Sequence, residues 1–426
     1  MTDHPLRVEL ASELHTRPHP DLEPPARISH AALLLGDTPV ERERDHLAAL
    51  CTRYSAPPPP DGVLHYAVRL GDFRLHWERH TEFSTLTLIA GPSEAPPFER
   101  TAFELLPADW WAAQPGQLIT ACHIVLEPAD GPEPDADQLA RMFEGQRLLG
   151  SRVMGGAARV WTALRVHGDG FGRFLIRDQG LGGGQAGRLV QRLWELDTYT
   201  HMALLALPEA RGLAPELATL ERLSARLTAA TAVAREVASD RALLDELFQL
   251  SAEVERIQAE TAYRFGAARA YDGIVSARLA ELAERPVESL QPLGEFLERR
   301  FKPAIRTCAS IETRLESLSR RVGRTVDLLR TRVDLQIEQQ NQAALSSMNE
   351  RVRLQLRLQQ MVEGLSVVAI SYYAVGLLAY VLEAFGETGA GRATTVILGL
   401  ITPLVVVGVW VGLRRAKRAL DLDHAA

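Results

Sequence analysis

The chain reads as an α+β cytoplasmic domain, followed by a bundle and stalk of long helices, followed by a C-terminal two-helix transmembrane hairpin. Three observations lead to this fold class. Between Val63 and Gly91 apolar and polar residues alternate, from Arg188 onward the apolar period lengthens to that of a helix, and two runs near the carboxyl end carry no charge. The boundaries fall near residues 180 and 360, giving parts 1–180, 181–360 and 361–426.

Taken in order, residues 1 to about 60 are rich in His, Pro and Arg. A short helix over Leu6 to Leu14 ends before Arg17-Pro18, since the residue preceding a proline disfavours the helical region. A second helix, Val40 to Tyr54, carries apolar residues 47, 50 and 54 on one side, and Pro57 to Pro60 stops it. Then come VLHYAVRL, FRLHWERH and STLTLIAG, separated by Gly71-Asp72 and a turn near Glu82, which is the pattern of an antiparallel sheet with one wet face. Leu118 to Leu126, Ala158 to Val166 and Phe171 to Ile176 are further strands. Asp135 to Gly145 is a helix with acidic residues at its start, where the helix dipole favours them.

After the glycine run at 180–187 no period-two stretch remains up to Gln360. Long amphipathic segments such as GRLVQRLWELDTYTHMALLAL exceed ordinary globular helices and predict antiparallel or coiled-coil packing. In the last of them Val322, Val326, Leu329, Val333, Ile337, Ala344, Met348 and Val352 form a stripe at spacings of three and four. Gln340 and Asn341 interrupt it, as polar residues do where a seam sets register. No proline lies between Val322 and Leu382, so the stalk is expected to run unbroken into the first uncharged run.

Those runs are Leu365 to Leu382 and Ala393 to Leu413. At about 1.5 Å per residue they are roughly 27 and 31 Å long, close to the roughly 30 Å hydrocarbon core of a bilayer. Arg351, Arg353 and Arg357 precede the first, and Arg414, Arg415, Lys417 and Arg418 follow the second, whereas the loop between carries Glu383 and Glu387. Basic flanks stay inside, so both termini are expected in the cytoplasm, with a multi-pass anchor in an inner membrane.

The totals exclude several classes. The N-terminus has no apolar leader segment, and the net charge of −7 offers no footprint for nucleic acid. Cys51, Cys122 and Cys308 are widely spaced and odd in number, which fits a reducing compartment and neither a disulfide framework nor a zinc site. There is no GxSxG and no Walker A, so no catalytic residue and no cofactor is assigned.

Four constellations remain. His76, Glu78 and His80 share one strand face, with His65 on a neighbouring strand; two imidazoles and a carboxylate suffice for a metal, although a satisfied polar face is the plainer account. Gly182, Gly184 and Gly187 match GxGxxG, but a helical bundle follows where a parallel strand should, so the run reads as a domain junction. Glu363, Ser366, Ser371, Tyr372, Glu383 and Glu387 are the polar groups on or beside the first span that a pore would use. Gly408 and Gly412 form GxxxG, which lets helices approach closely.

HPLRVELASELHTRP at the start, WERHTEF at Trp77 to Phe83, GRLVQRLWELDTYTHMALLALPEAR and RTRVDLQIEQQNQAALSSMNERVRLQLRLQQMVEGLSVVAISYYAVGLLAY resemble a bacterial family of predicted membrane-anchored proteins without an established function. That resemblance implies an inner-membrane location and no assigned reaction. The layout of domain, stalk, two spans and basic tail is also similar to the CorA-type magnesium transporters. Their Gly-Met-Asn motif is absent here, the corresponding stretch being Tyr380 to Gly386. The sequence therefore points first to a non-enzymatic, homo-oligomeric sensor or scaffold on a stalk, its partners being the lipid bilayer and further copies of itself. A CorA-like divalent-cation channel or transporter is the alternative, and a membrane-tethered metal-dependent enzyme using His76, Glu78 and His80 the third.

Overall fold

The computed structural model of the chain describes residues 4, 6, 7, 19–233, 237–287, 289–385 and 391–423. Glu387 and most of the helix expected over Leu6 to Leu14 lie outside these residues. Two compact units emerge, one comprising residues 1–234 and 242–326, the other 235–241 and 327–426.

The first unit is built on a mixed nine-stranded sheet. Its strands are β1 (Ala26–Leu34), β2 (His65–Leu70), β3 (Phe73–Arg79), β4 (Phe83–Ala90), β5 (Gln117–Glu127), β6 (Leu149–Val153), β7 (Ala158–Thr162), β8 (Gly172–Asp178) and the two-residue β9 (Arg285–Pro286). Their order is β2-β3-β4-β1-β5-β8-β7-β6-β9. Every pairing is antiparallel except β5 with β8, where Ile124 lies opposite Phe174 in a parallel register.

The hairpin β2-β3 follows the expected alternation, whereas β4 is buried at every position and has no wet face. Phe73, Leu75 and Trp77 bury one face of β3, while Arg74, His76 and Glu78 take the other. The sequence reading leaves out β6, the two-residue β9 and, inside the sheet, β1. Its residues ARISHAALL are nearly all buried, and Ser29-His30 interrupts the apolar run. A strand covered on both faces does not alternate, so the period-two signal is missing where the sheet is densest.

Helices and loops cover both faces. On one side α1 (Val40–Arg53) and the short α2 (Ala108–Ala112) bring Leu47, Leu50 and Trp110 onto Leu75, Trp77, Leu86 and Leu88. Beside them α3 (Ala136–Met142) starts at Asp135 with a capping box to Gln138, and Phe143 joins Phe98, Trp161 and Leu175. On the opposite side α4 (Gln185–Leu204) lays Leu189, Val190, Leu193 and Leu196 on Ile28, Ile124, Phe174 and Ile176. Val275 and Leu282, near the end of α6 (Val237–Glu281), and Leu293 and Leu297 of α7 (Leu293–Arg300) complete that core, while α5 (Ala206–Val233) connects α4 to α6.

At the start of α4, Gly184 has φ 72° and caps the helix. A Cβ on Gly187 would meet the Pro20 carbonyl oxygen at 1.8 Å, so only glycine lets residues 19–20 cross there. The GxGxxG start is thus occupied by the chain's own backbone.

Helix α8 (Lys302–Phe385) is continuous, as the lack of prolines required, and α9 (Gly391–Asp423) follows it. The apolar stripe of α8 is buried at Val322, Leu329 and Val333; from Glu338 to Val362 every residue is exposed. In the second unit, two helices are long and apolar enough to cross a membrane, with mean hydropathy 2.0 and 2.5 over their most apolar stretches and almost none of either buried.

Candidate functional site

Consecutive residues of a strand point to opposite faces, so β1 sets Ser29 and His30 back to back in the middle of the sheet. Each anchors a polar cluster that the apolar layers around it enclose.

On the face under α4, His30 is only 2% exposed. Its Nδ1 lies 2.8 Å from Oγ1 of Thr87 on β4, its Nε2 3.2 Å from Oγ1 of Thr198 on α4, and its ring stacks on Trp194 at 5.2 Å. A neutral imidazole has one N–H, so one threonine hydroxyl donates to the ring and the other accepts from it. Burial, reinforced by nearby His80, pushes the His30 pKa down to about 3, which keeps the ring neutral. His80, just past β3, stacks on Phe83 at 4.3 Å, meets Tyr199 edge-on, and holds Nε2 3.9 Å from Oε2 of Glu78. These groups, with Thr85, Gln191 and Glu195, line a cavity of about 40 Å³. That is room for a few waters and not for an organic substrate.

Further polar pairs tie the same helical layer to the sheet. Asp197 of α4 accepts from Oγ1 of Thr120 at 2.6 Å, and its carboxyl is held above the usual range by burial, against the opposing pull of His201. Glu82, at the β3-β4 turn, accepts from the Tyr271 hydroxyl at 2.7 Å and pairs with Arg264 at 2.8 Å. Burial first, and Glu82 second, raise the Tyr271 pKa.

On the other face, Ser29 Oγ accepts from the Phe103 N–H at 3.1 Å and shares a second hydrogen bond with Nδ1 of His123, 2.8 Å away, whose direction follows the tautomer of that ring. His123 stacks on Phe171 at 4.1 Å, and burial lowers its pKa to about 4. A serine hydroxyl on an imidazole is the pairing that nucleophilic catalysis uses, but both side chains are sealed beneath neighbouring aromatics.

Two wider grooves open at the surface of this unit. One, of about 600 Å³, lies between the prolines at 96–97 and 128–134 and is floored by Arg173 and Arg177. Its arginines hold loops: Arg177 donates to the Ala129 and Gly131 carbonyls, and Arg173 to the Met142 carbonyl and the Asp169 carboxylate. The other, of about 690 Å³, includes Asp37, Thr38, Glu82, Tyr263 and Arg264.

The predicted site residues separate on the structure. His76 and Glu78 share a strand face, and Glu78 is paired across the sheet with His65 and Thr85. His76 lies opposite Ala67 and Thr87. Among the described residues no three His, Cys, Asp or Glu side chains converge on a position that could hold a metal. Cys51, Cys122 and Cys308 are buried free thiols. In the second unit, Ser366 donates to the Val362 carbonyl one turn back at 2.8 Å. Ser371 is buried, its Oγ without a partner among the described residues, while Tyr372 and Glu383 are exposed. At about 100° per residue, Glu363, Ser366, Ser371, Tyr372 and Glu383 are spread round the helix and not aligned on one side. Gly408 and Gly412 are exposed, with open space around the positions a Cβ would take.

The sequence reading did not find the Ser29–His123 and His30–Thr87–Thr198 clusters. Their one signal was a Ser-His pair inside an apolar run bounded by Pro24-Pro25 and Gly36-Asp37, too weak to distinguish a strand from a loop. Comparison with known proteins gives a family model described as a protein of unknown function (DUF3422), which matches residues 2–420. No curated protein matches the chain.

Proposed function

We propose that this chain, which belongs to the DUF3422 family of unknown function, is a non-enzymatic membrane-anchored protein. Its sheet unit serves as a cytoplasmic sensor or interaction module, and its long helix makes it a homo-oligomer. The observation that carries the anchor is the exposure of apolar side chains in the second unit. Leu365 is 74% and Tyr372 76% exposed, and Leu377, Leu400 and Leu404 follow the same rule. Apolar surface of this extent belongs against lipid or protein. Buried Ser371 and half-buried Ser366, Ala374 and Leu378 on α8, with half-buried Leu398, Ile401, Val405 and Val409 on α9, recur at the spacing of two helices paired as a hairpin. The arginines at 351, 353, 357, 414 and 415 stand at one end of it, which favours cytoplasmic termini in a bacterial inner membrane.

Self-association draws its support from residues 338–362, where a fully exposed helix carries Leu345, Met348 and Val352 on the continuation of its buried stripe. An isolated helix gains its stability from a packed face, and copies anchored in one membrane run parallel. The non-enzymatic reading draws its support from the burial of the Ser29–His123 pair and from the small size, about 40 Å³, of the cavity beside His80 and Glu78. We do not adopt the CorA-like cation pathway, because the polar groups of the first span point in several directions.

Fractionation of cells expressing the full chain tests the anchor. It should sediment with membranes, resist alkaline carbonate and be released by detergent; recovery in the supernatant would overturn the reading. Native mass of the detergent-released protein should be a multiple of 47.0 kDa. Cation flux in proteoliposomes would reinstate the channel alternative.

A further inference from the structure

Two stripes run side by side along α8 immediately before its uncharged run. Arg353, Arg357, Gln360 and Gly364 follow one another at steps of four, three and four residues; Leu354, Leu358, Met361 and Leu365 follow at the same steps, one residue over. Eleven residues complete almost three turns of helix, so each stripe runs straight along the axis, basic beside apolar. All of these positions are exposed, and Leu354, Leu358 and Met361 are each more than half exposed. Arg351, Arg353 and Arg357 have no ion-pair or hydrogen-bond partner among the described residues. At the same end of the hairpin, on α9, the Arg414 guanidinium lies over the Trp410 ring at 4.3 Å, an arrangement suited to the boundary between hydrocarbon and headgroups.

We infer that this face of α8 binds the phosphate of an anionic phospholipid, with Arg357 as its principal contact and Met361 and Leu365 against the acyl chain. The inference rests on the membrane anchor proposed above. With the apolar surface starting near Met361, Arg357 lies about 6 Å and Arg353 about 12 Å further along the axis. The headgroup layer of one leaflet is about 5–7 Å thick, and helical side chains lean toward the N-terminus, here away from the hydrocarbon. Arg357 therefore reaches the phosphate layer directly. Arg353 and then Arg351 act through the surface potential, which decays over about 8–10 Å. A planar guanidinium grips a phosphate with two parallel N–H donors, which lysine cannot do.

The test uses the full-length protein in vesicles of phosphatidylcholine alone or mixed with phosphatidylglycerol, followed by detergent release and native mass spectrometry of retained lipid. The wild type should retain phosphatidylglycerol in preference to phosphatidylcholine. Arg357→Gln should lower that preference about fivefold, the attraction of one cation near an anionic leaflet, and Arg353→Gln and Arg351→Gln by successively less. The double substitution Arg353→Lys with Arg357→Lys should keep part of it, which separates charge from misfolding. If Arg353→Gln with Arg357→Gln retains phosphatidylglycerol as the wild type does, the site is overturned while the anchor stands. If the wild type enters neither kind of vesicle, the anchor fails and the site with it.

Discussion

The two units spend similar side chains in opposite ways. Leu75, Leu86 and Leu88 in the sheet are sealed from solvent, whereas Leu365, Leu377 and Leu404 in the second unit stand open. Polar groups differ as well. In the sheet unit His30 is satisfied across elements, by threonines from β4 and α4, while Ser366 in the second unit turns back to its own helix. A structure whose apolar residues face inward carries its solvent assumption within itself. One whose apolar residues face outward has a surrounding medium still to be supplied.

That contrast can be broken by moving one residue at a time. Trp77→Ala should produce the largest effect, about 3–5 kcal/mol of lost stability, because it empties a buried site and removes the indole N–H that Glu43 accepts at 3.2 Å. Denaturant unfolding of the detergent-solubilised chain should register it, with membrane sedimentation unchanged. Val375→Arg, at the middle of the first span, should reverse the pattern: about 2.5–3.5 kcal/mol against insertion, seen as protein leaving the membrane fraction, with the sheet's unfolding midpoint unmoved.

The contrast sharpens with pH. His30 titrates near 6.5 when unfolded and near 3 when folded, so the unfolded state binds the extra proton as pH falls. Stability from this group is therefore complete above about pH 6.5 and is lost progressively below it, by about 2 kcal/mol between pH 7.5 and 5. His123, depressed to about 4, adds a loss of the same sign. Unfolding midpoints of His30→Gln should show a shallower acid slope than the wild type; equal slopes would mean that the imidazole is not sealed. The smallest effect belongs to Thr87→Val, about 1 kcal/mol from one unpaired ring nitrogen, measurable as a shift in denaturant midpoint.

Legibility in the sequence followed the same division. The hairpins from His65 to Ala90, the helix after Asp135 and the unbroken α8 were announced by periodicity, acidic residues at a helix start and missing prolines. Strand β1 was not, because burial on both faces erases alternation. The parallel β5-β8 pairing and the addition of β9 from residues 285–286 depend on partners 50 and more residues away, which local pattern cannot encode. The polar clusters were hidden for the same reason: Ser29 and His123, or His30 and Thr198, become neighbours only once the sheet and α4 exist. His76, Glu78 and His80 looked like a set because they are adjacent in sequence, yet Glu78 and His80 line a small cavity with His30, and His76 does not join them.

The position of β1 carries a consequence for synthesis. It is the first strand to leave the ribosome, but its two neighbours are β4, which begins at Phe83, and β5, which ends at Glu127. Until Ala90 has been translated, both rows of β1 backbone amides and carbonyls lack their mates, and the row that meets β5 waits until Glu127, nearly a hundred residues after β1 ends. A nascent chain halted before Glu127 should therefore be the species most dependent on chaperones, and slow codons after that point should be better tolerated than slow codons before it.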